Sequence, residues 1–114
     1  MPDPAVPVLK GTLDVLVLKA LSWAPMHGFG VASWLERSSE GALGIEDSAL
    51  YQALQRLEER GLLEAEWRIS ENNRRARYYK LTADGRRQLR AQTTSWLRYA
   101  GAVTQILQAT TRPA

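Results

Sequence analysis

The sequence predicts a mainly α-helical fold with a small β hairpin: a winged helix-turn-helix followed by a long C-terminal dimerisation helix. Three helical periodicities precede Gly61, two alternating segments follow it, and a last helical pattern continues without proline until Pro113. The chain of 114 residues is long enough for one domain with a modest core. We expect a disordered N-terminal tail at 1–8, the winged helix-turn-helix domain at 9–82, the dimerisation helix at 83–110 and a tail at 111–114.

The first two helices are predicted from apolar residues that recur every three or four positions. The first covers residues 12–23, with Thr12 as its N-cap, and the second covers residues 27–39. Gly28 and Gly30 stand near the start of the second helix. We expect these glycines to allow tight packing against the first helix.

The third helix combines a leucine-rich stripe with a polar, mostly uncharged outer face. A brief strand at residues 42–45 precedes it, Asp47 or Ser48 caps it, and Gly61 stops it. In a winged helix-turn-helix the third helix enters the DNA major groove, where Gln pairs with adenine and Arg with guanine or phosphate. The residues expected to contact bases or phosphates are Ser48, Gln52, Gln55 and Arg56.

Two segments of alternating apolar and polar residues predict the hairpin. They are residues 63–69 and a second strand with Tyr79 and Leu81 on one face, joined by a loop of about seven residues. Donors occupy nearly every loop position, and in this fold the loop reaches the DNA backbone or the minor groove. The expected contacts are Asn73, Arg74, Arg75 and Arg77.

Charge is divided unevenly along the chain. Residues 1–67 carry 5 basic and 10 acidic side chains, whereas residues 68–114 carry 10 basic and 2 acidic ones. Such a basic block indicates a surface for a polyanion, of which double-stranded DNA is the one that the fold favours. A solvated face that keeps the protein soluble is the alternative.

The last helix is longer than the core of so small a domain requires. At about 1.5 Å per residue it would span roughly 40 Å. Its apolar and small residues recur in alternating steps of four and three, the spacing of a coiled-coil seam. A helix folded back on its own domain is the alternative. We expect a second copy of the chain to pair along Leu89, Thr93, Trp96, Ala100, Val103 and Leu107.

Composition excludes several kinds of site. The chain has no cysteine and a single histidine, so it has no disulfide, no Cys-ligated zinc and no thiol nucleophile, and we expect no metal, no cofactor and no enzymatic activity. The longest nearly apolar run, Leu13 to Trp23, is too short to span a bilayer and contains two charges. We expect no membrane partner and a cytoplasmic location.

Five segments of the chain carry a resemblance to a known family. They read LKGTLD at 9–14, PMHGFG at 25–30, LYQALQRLE at 50–58, ENNRRA at 71–76 and YYKLTADG at 78–85. In this order and register they resemble the PadR family of bacterial transcriptional regulators. The resemblance implies a homodimeric winged-helix repressor that binds inverted-repeat operators, with the C-terminal helices forming the dimer, as in the smaller members of the family.

The resemblance also suggests roles for two aromatic residues. Tyr51 matches the family, which implies a phosphate contact through its hydroxyl, whereas Ala49 and Gln52 replace the Ser and Pro of the common Ser-Leu-Tyr-Pro-Ala-Leu pattern. Some relatives bind flat aromatic effectors between the dimer helices, and Trp96 is the candidate platform for such a ligand here. Packing within the seam is the alternative role for Trp96.

Together these features predict a sequence-specific regulator of transcription that binds double-stranded DNA as a homodimeric repressor and is released by a small aromatic effector. The alternative is a winged-helix module that binds proteins, or that binds nucleic acid without sequence preference. Salt dependence and sequence preference of binding distinguish these possibilities.

Overall fold

Helices and short strands alternate in the computed structural model, which describes residues 4–9 and 11–113. The predicted mainly α fold, with a small antiparallel sheet and a long C-terminal helix, is confirmed. In chain order the elements are β1 Val6–Pro7, α1 Leu13–Leu21, β2 Met26–His27, α2 Gly28–Ser38, β3 Leu43–Gly44, α3 Asp47–Glu59, β4 Leu63–Ile69, β5 Arg75–Leu81 and α4 Ala83–Leu107.

The core lies where the apolar stripes of the first three helices meet the base of the hairpin. Each helix turns one stripe inward because its apolar residues recur at helical spacing. The sheet closes the core with the side chains that lie nearest its base. The buried residues are Val17, Leu18 and Leu21 of α1, Val31 and Leu35 of α2, Leu50, Leu54 and Leu57 of α3, and Leu63, Tyr79 and Leu81 of the sheet.

The hairpin is longer and its loop shorter than the sequence predicts. β4 and β5 pair antiparallel from Leu63 opposite Leu81 to Ile69 opposite Arg75, which leaves residues 70–74 as the loop. The two strands continue pairing into the basic segment because arginine side chains tolerate an exposed strand. β2 pairs with the other edge of β5, so the strand order is β2-β5-β4. This third strand was not predicted, because it is only two residues long.

The far half of β4 departs from a half-buried strand. Leu63 and Ala65 pack on the domain, but Trp67 and Ile69 on the same face are 58% and 65% exposed. These residues are exposed because the hairpin extends beyond the helices that would cover them.

The predicted disordered tail at 1–8 is wrong for Val6 and Pro7. These residues form β1 and pair parallel with Leu43 and Gly44 of β3, and the Val6 amide donates to the Ala42 carbonyl over 2.7 Å. The predicted strand at 42–45 needs a partner for its backbone, and the N-terminal segment supplies one. Residues 1–3 lie outside the part of the chain that the structure describes.

Two of the predicted helix caps are different in the structure. Thr12 stands at the N-cap of α1, but its side chain makes no capping bond; its hydroxyl instead accepts a hydrogen bond from Trp96 Nε1 over 3.3 Å. Glu46 is the N-cap residue of α3, so Asp47 and Ser48 lie within the first turn. Gly61 follows the last turn of α3 with φ +75°, the left-handed conformation that a helix stop favours.

α4 extends well past the domain. It begins behind Thr82, whose hydroxyl accepts a hydrogen bond from the Gly85 amide over 3.0 Å, and it ends at Leu107. Gly85 is buried, and a Cβ there would collide with the Leu62 carbonyl oxygen, so this glycine lets the helix start against the hairpin base. The remaining length of α4 makes the chain an elongated object of 63 × 38 × 21 Å.

Candidate nucleic-acid interface

Four of the predicted contact residues lie on the outer face of α3. Leu50, Ala53, Leu54 and Leu57 form the buried stripe of this helix. The opposite side is exposed, and residues three or four positions apart share it. Ser48, Tyr51, Gln52 and Gln55 lie on this face, as the sequence spacing predicts.

Tyr51 sets the packing between α2 and α3. Its ring lies so close to the start of α2 that a Cβ added at Gly28 would be 2.6 Å from Tyr51 Cε1. Gly28 therefore makes room for α3, and the expectation that it packs against α1 is wrong. Gly30 has a different neighbour, since its amide donates to Nδ1 of His27, the N-cap residue of α2, over 2.9 Å.

The two glutamines are directed to solvent. Gln55 Nε2 lies 3.4 Å from Glu59 Oε1, a long hydrogen bond between exposed groups. Gln52 makes no side-chain hydrogen bond within the part of the chain that the structure describes. Its amide donor and acceptor are therefore free for a base edge, because the pair of groups that reads adenine is not used internally.

Arg56 is directed elsewhere than the sequence predicts. Its Nη2 lies 2.6 Å from Oδ1 of Asp14 in α1, and Nε lies 3.5 Å from Oδ2. The hydrogen bond to Asp14 raises the pKa of Arg56, burial opposes the shift, and the negative charge of Asp14 adds to it. Arg60 Nη1 approaches the same carboxylate at 3.9 Å. The structure thus places Arg56 at the contact between α1 and α3, not with the glutamines.

The wing, which is the hairpin at residues 63–81, presents its predicted cations in two ways. Arg77 Nη2 lies 2.7 Å from Glu58 Oε2 of α3, so this cation joins the wing to α3. Arg74 and Arg75 form no ion pair with any carboxylate among residues 4–9 and 11–113. Asn73 turns the loop with φ +57°, a left-handed conformation that Asn tolerates.

The arrangement fixes the α3 face and the wing relative to each other. β4 starts four residues after α3 ends, and the Glu58–Arg77 pair ties the two elements a second time. Tyr79 is buried beneath this pair, and burial raises its pKa, so its phenol is neutral at physiological pH. The α3 face thus carries uncharged hydrogen-bonding groups, and the wing that is paired to α3 carries Arg74 and Arg75 without carboxylate partners among the described residues.

Most of the seam predicted on α4 is exposed. Leu89 packs partly on the core, whereas Trp96 is 39% and Leu107 is 79% exposed. Thr93 and Val103 are exposed as well, and Ala100 is half-buried. Three further exposed apolar residues of α4 lie outside the predicted 4-3 register and were not predicted from it: Leu97, Tyr99 and Ile106.

An apolar groove of about 840 Å³ lies between α4, α1 and the N-terminal segment. Val6 and Leu9 form one wall, Leu16 the floor, and Trp96 and Leu97 the wall on α4. The groove was not predicted, because one of its walls is the segment that the sequence marks as a tail.

The described residues were also compared with the features of a membrane span and of a metal site, and they match neither. No helix in the described ranges is long and apolar enough to cross a membrane. Nor do any three His, Asp or Glu side chains in those ranges meet as a metal site would require.

The family described as "transcriptional regulator PadR-like family" matches residues 17–91. The chain belongs to the PadR-like family. The resemblance found in its motifs is confirmed, and the family assigns it to the regulators of transcription that bind DNA.

Solved structures from three bacteria share the whole fold. A Streptococcus mutans protein superimposes with a TM-score of 0.80 at 26% identity over 96% of this chain and 98% of that one. For a PadR family regulator from Clostridium difficile the TM-score is 0.73 at 25% identity over 85% and 99%. For one from Eggerthella lenta it is 0.70 at 31% identity over 89% and 86%. The similarity includes most of each protein's length, so it extends beyond the winged helix-turn-helix.

Proposed function

We propose that this PadR-like protein represses transcription by binding an inverted-repeat operator as a homodimer. The observation that carries the proposal is the surface formed by α3 and the wing. Among the described residues, Gln52 lies on the α3 face without an internal hydrogen bond, and Arg74 and Arg75 lie on the wing without carboxylate partners. The glutamine would read base edges, and the arginines would contact phosphates or the minor groove.

The apolar residues of α4 support the homodimer. In a single chain Tyr99, Ile106 and Leu107 are all more than 60% exposed, and they lie on the same side of α4 as Trp96 and Val103 at 100° per residue. A monomeric protein rarely leaves so many large apolar side chains together in water, because their burial contributes about 25 cal/mol per Å². Pairing of two copies along α4 buries them and presents two α3 helices to half-sites about 34 Å apart.

The groove beside Trp96 supports control by a small ligand. Its walls are apolar, and the exposed indole ring offers a face on which a planar aromatic compound would stack. A compound bound between α1 and α4 would change the angle at which α4 leaves the domain, and with it the spacing of the two α3 helices. Repression would then be released in the cytoplasm, where the DNA is.

Selection from a random pool of double-stranded DNA at near-physiological salt, followed by sequencing, tests the proposal. We expect enrichment of a two-fold inverted repeat. In a parallel selection, Gln52→Ala should relax the preference at one position of each half-site, worth about 1–3 kcal/mol of discrimination. An unchanged motif for Gln52→Ala would contradict the assignment of the α3 face.

Recovery of no enriched sequence would contradict the proposal itself. If binding were then lost steeply as salt rises, a nonspecific nucleic-acid-binding module would replace it. If no DNA bound at low salt, a protein-interaction module would replace it instead.

A further inference from the structure

The wing contains an exposed pair of a tryptophan and an arginine. The base and phosphate contacts proposed above do not by themselves account for the tryptophan. Trp67 of β4 is 58% exposed, and the guanidinium carbon of Arg75 in β5 lies 4.9 Å from the centroid of its ring. More than half of this tryptophan side chain stays in water, so packing on the domain accounts for only part of the ring's contacts. Here it is in contact with one of the two wing arginines that no carboxylate neutralises.

The strand register brings the two side chains together. Ile69 is directly opposite Arg75, and Trp67 is opposite Arg77, so Trp67 and Arg75 are diagonal neighbours on one face of the sheet. Diagonal pairs lie within reach of aromatic and long side chains. Arg75 therefore extends along the strand direction over the indole ring.

Apart from Arg74 and Arg75, the cations of the wing are held by carboxylates. Arg77 pairs with Glu58, Arg68 with Glu66, and Lys80 with Glu64. A carboxylate orients an arginine but also cancels its charge and occupies its donors. An aromatic ring orients the guanidinium from its face and leaves the charge and the in-plane N–H donors free for a phosphate.

We propose that Trp67 is a positioning residue for DNA binding, one that holds the Arg75 guanidinium ready to contact a phosphate. This inference rests on the proposed function, because it needs a DNA phosphate as the occupant of the Arg75 donors. An unrestrained arginine side chain loses rotamer entropy when it binds a phosphate. Stacking on Trp67 restricts the Arg75 side chain before DNA binds, so less entropy is lost on binding.

A double-mutant cycle on affinity for the selected inverted repeat tests the inference, at one fixed salt concentration. Trp67→Ala should weaken binding about threefold per wing, or about tenfold for a dimer with two altered wings. Trp67→Phe keeps a ring face and should restore most of that loss. Arg75→Ala should weaken binding more, about tenfold per wing, since it also removes the contact itself.

The decisive measurement is Trp67→Ala in the Arg75→Ala background, where it should have no further effect on affinity. Ile69→Ala is the matched control, since it removes an equally exposed apolar side chain from the same face of β4 and should leave affinity within twofold. Thermal unfolding midpoints of all variants exclude loss of fold as the cause.

Two results would overturn the inference while the proposed function stands. One is an effect of Trp67→Ala that stays at about tenfold in the dimer without Arg75, and the other is wild-type affinity in the Trp67→Ala protein. If the wild-type chain bound no DNA at all, the proposed function would fail first and the inference with it.

Discussion

The α3 face with the wing and the far half of α4 expose opposite kinds of surface. At the first, polar and cationic groups are oriented by partners within the same chain, such as Glu58 for Arg77 and Trp67 for Arg75. At the second, the side chains exposed to water are Tyr99, Ile106 and Leu107, in a part of α4 that no other described element covers. The first surface is complete in one chain, whereas the second requires another surface to complete it.

The largest effect is expected from placing charge on the uncovered helix. In Trp96→Glu/Val103→Glu, two carboxylates would face each other across the seam, so the dimer should dissociate. Affinity for the inverted repeat should then fall by about 10²–10⁴, because the two half-sites are no longer bound as a linked pair. Light scattering after size-exclusion chromatography and a DNA titration measure the two losses.

Gln105→Glu is the matched control for that variant. It adds a carboxylate to the opposite side of α4, since position 105 is about 180° from position 96 at 100° per residue. We expect it to leave both the mass and the affinity unchanged. A monomeric wild-type protein that still binds the repeat tightly would contradict the comparison between the two surfaces.

The next effect concerns the other surface. Arg74→Ala should weaken binding to every DNA sequence alike, by about tenfold per wing, because a phosphate contact carries no sequence information. The slope of log affinity against log salt should become shallower by about two for a dimer with two altered wings. Arg112→Ala removes the same charge beyond the end of α4 and should change neither quantity.

A pair of glycines allows a sharper comparison of the two regions. Gly28→Ala inserts a Cβ 2.6 Å from the half-exposed Tyr51 ring, which must shift to a less favourable rotamer, so it should lower the free energy of unfolding by about 0.5–1.5 kcal/mol. Gly101→Ala, in the exposed part of α4, meets no atom within 4 Å and should raise helix stability by about 0.5–1 kcal/mol. Denaturant titration measures both, and equal effects of the two variants would contradict the packing assigned to Tyr51.

How well the sequence predicts a contact in this protein depends on how far apart the two residues lie in the chain. The helices and the α3 face follow from local periodicity, so Gln52 and Gln55 lie where their spacing puts them. Thr82 likewise caps α4 through a residue three positions on. These are interactions within one turn, and one sequence contains all the information that they need.

Contacts between distant segments were not predictable in the same way. Arg56 is an outward residue of α3 by spacing, yet its partner Asp14 is 42 residues away in the chain. The pairing of Val6 with Leu43 and the fit of Gly28 to Tyr51 are equally remote. Spacing determines which face a side chain occupies, but the neighbouring element determines what that side chain contacts.

The smallest effect is expected at the contact that redirects Arg56. Asp14→Asn should lower the free energy of unfolding by about 0.5–1 kcal/mol, since the carboxylate is mostly buried but Arg56 is half exposed and solvent screens the pair. Glu66→Gln, which breaks a pair exposed on both sides, should cost less than about 0.5 kcal/mol. Urea titration at low and high salt distinguishes them, because the difference should shrink as salt rises.

The same variant has a consequence for DNA. Without the Asp14 carboxylate, Arg56 keeps its charge but loses the partner that directs it toward α1. The freed guanidinium should then reach a phosphate beside α3, so affinity should stay equal or rise even as stability falls. A fall of both quantities in parallel would indicate that Asp14 supports binding by fixing the angle between α1 and α3.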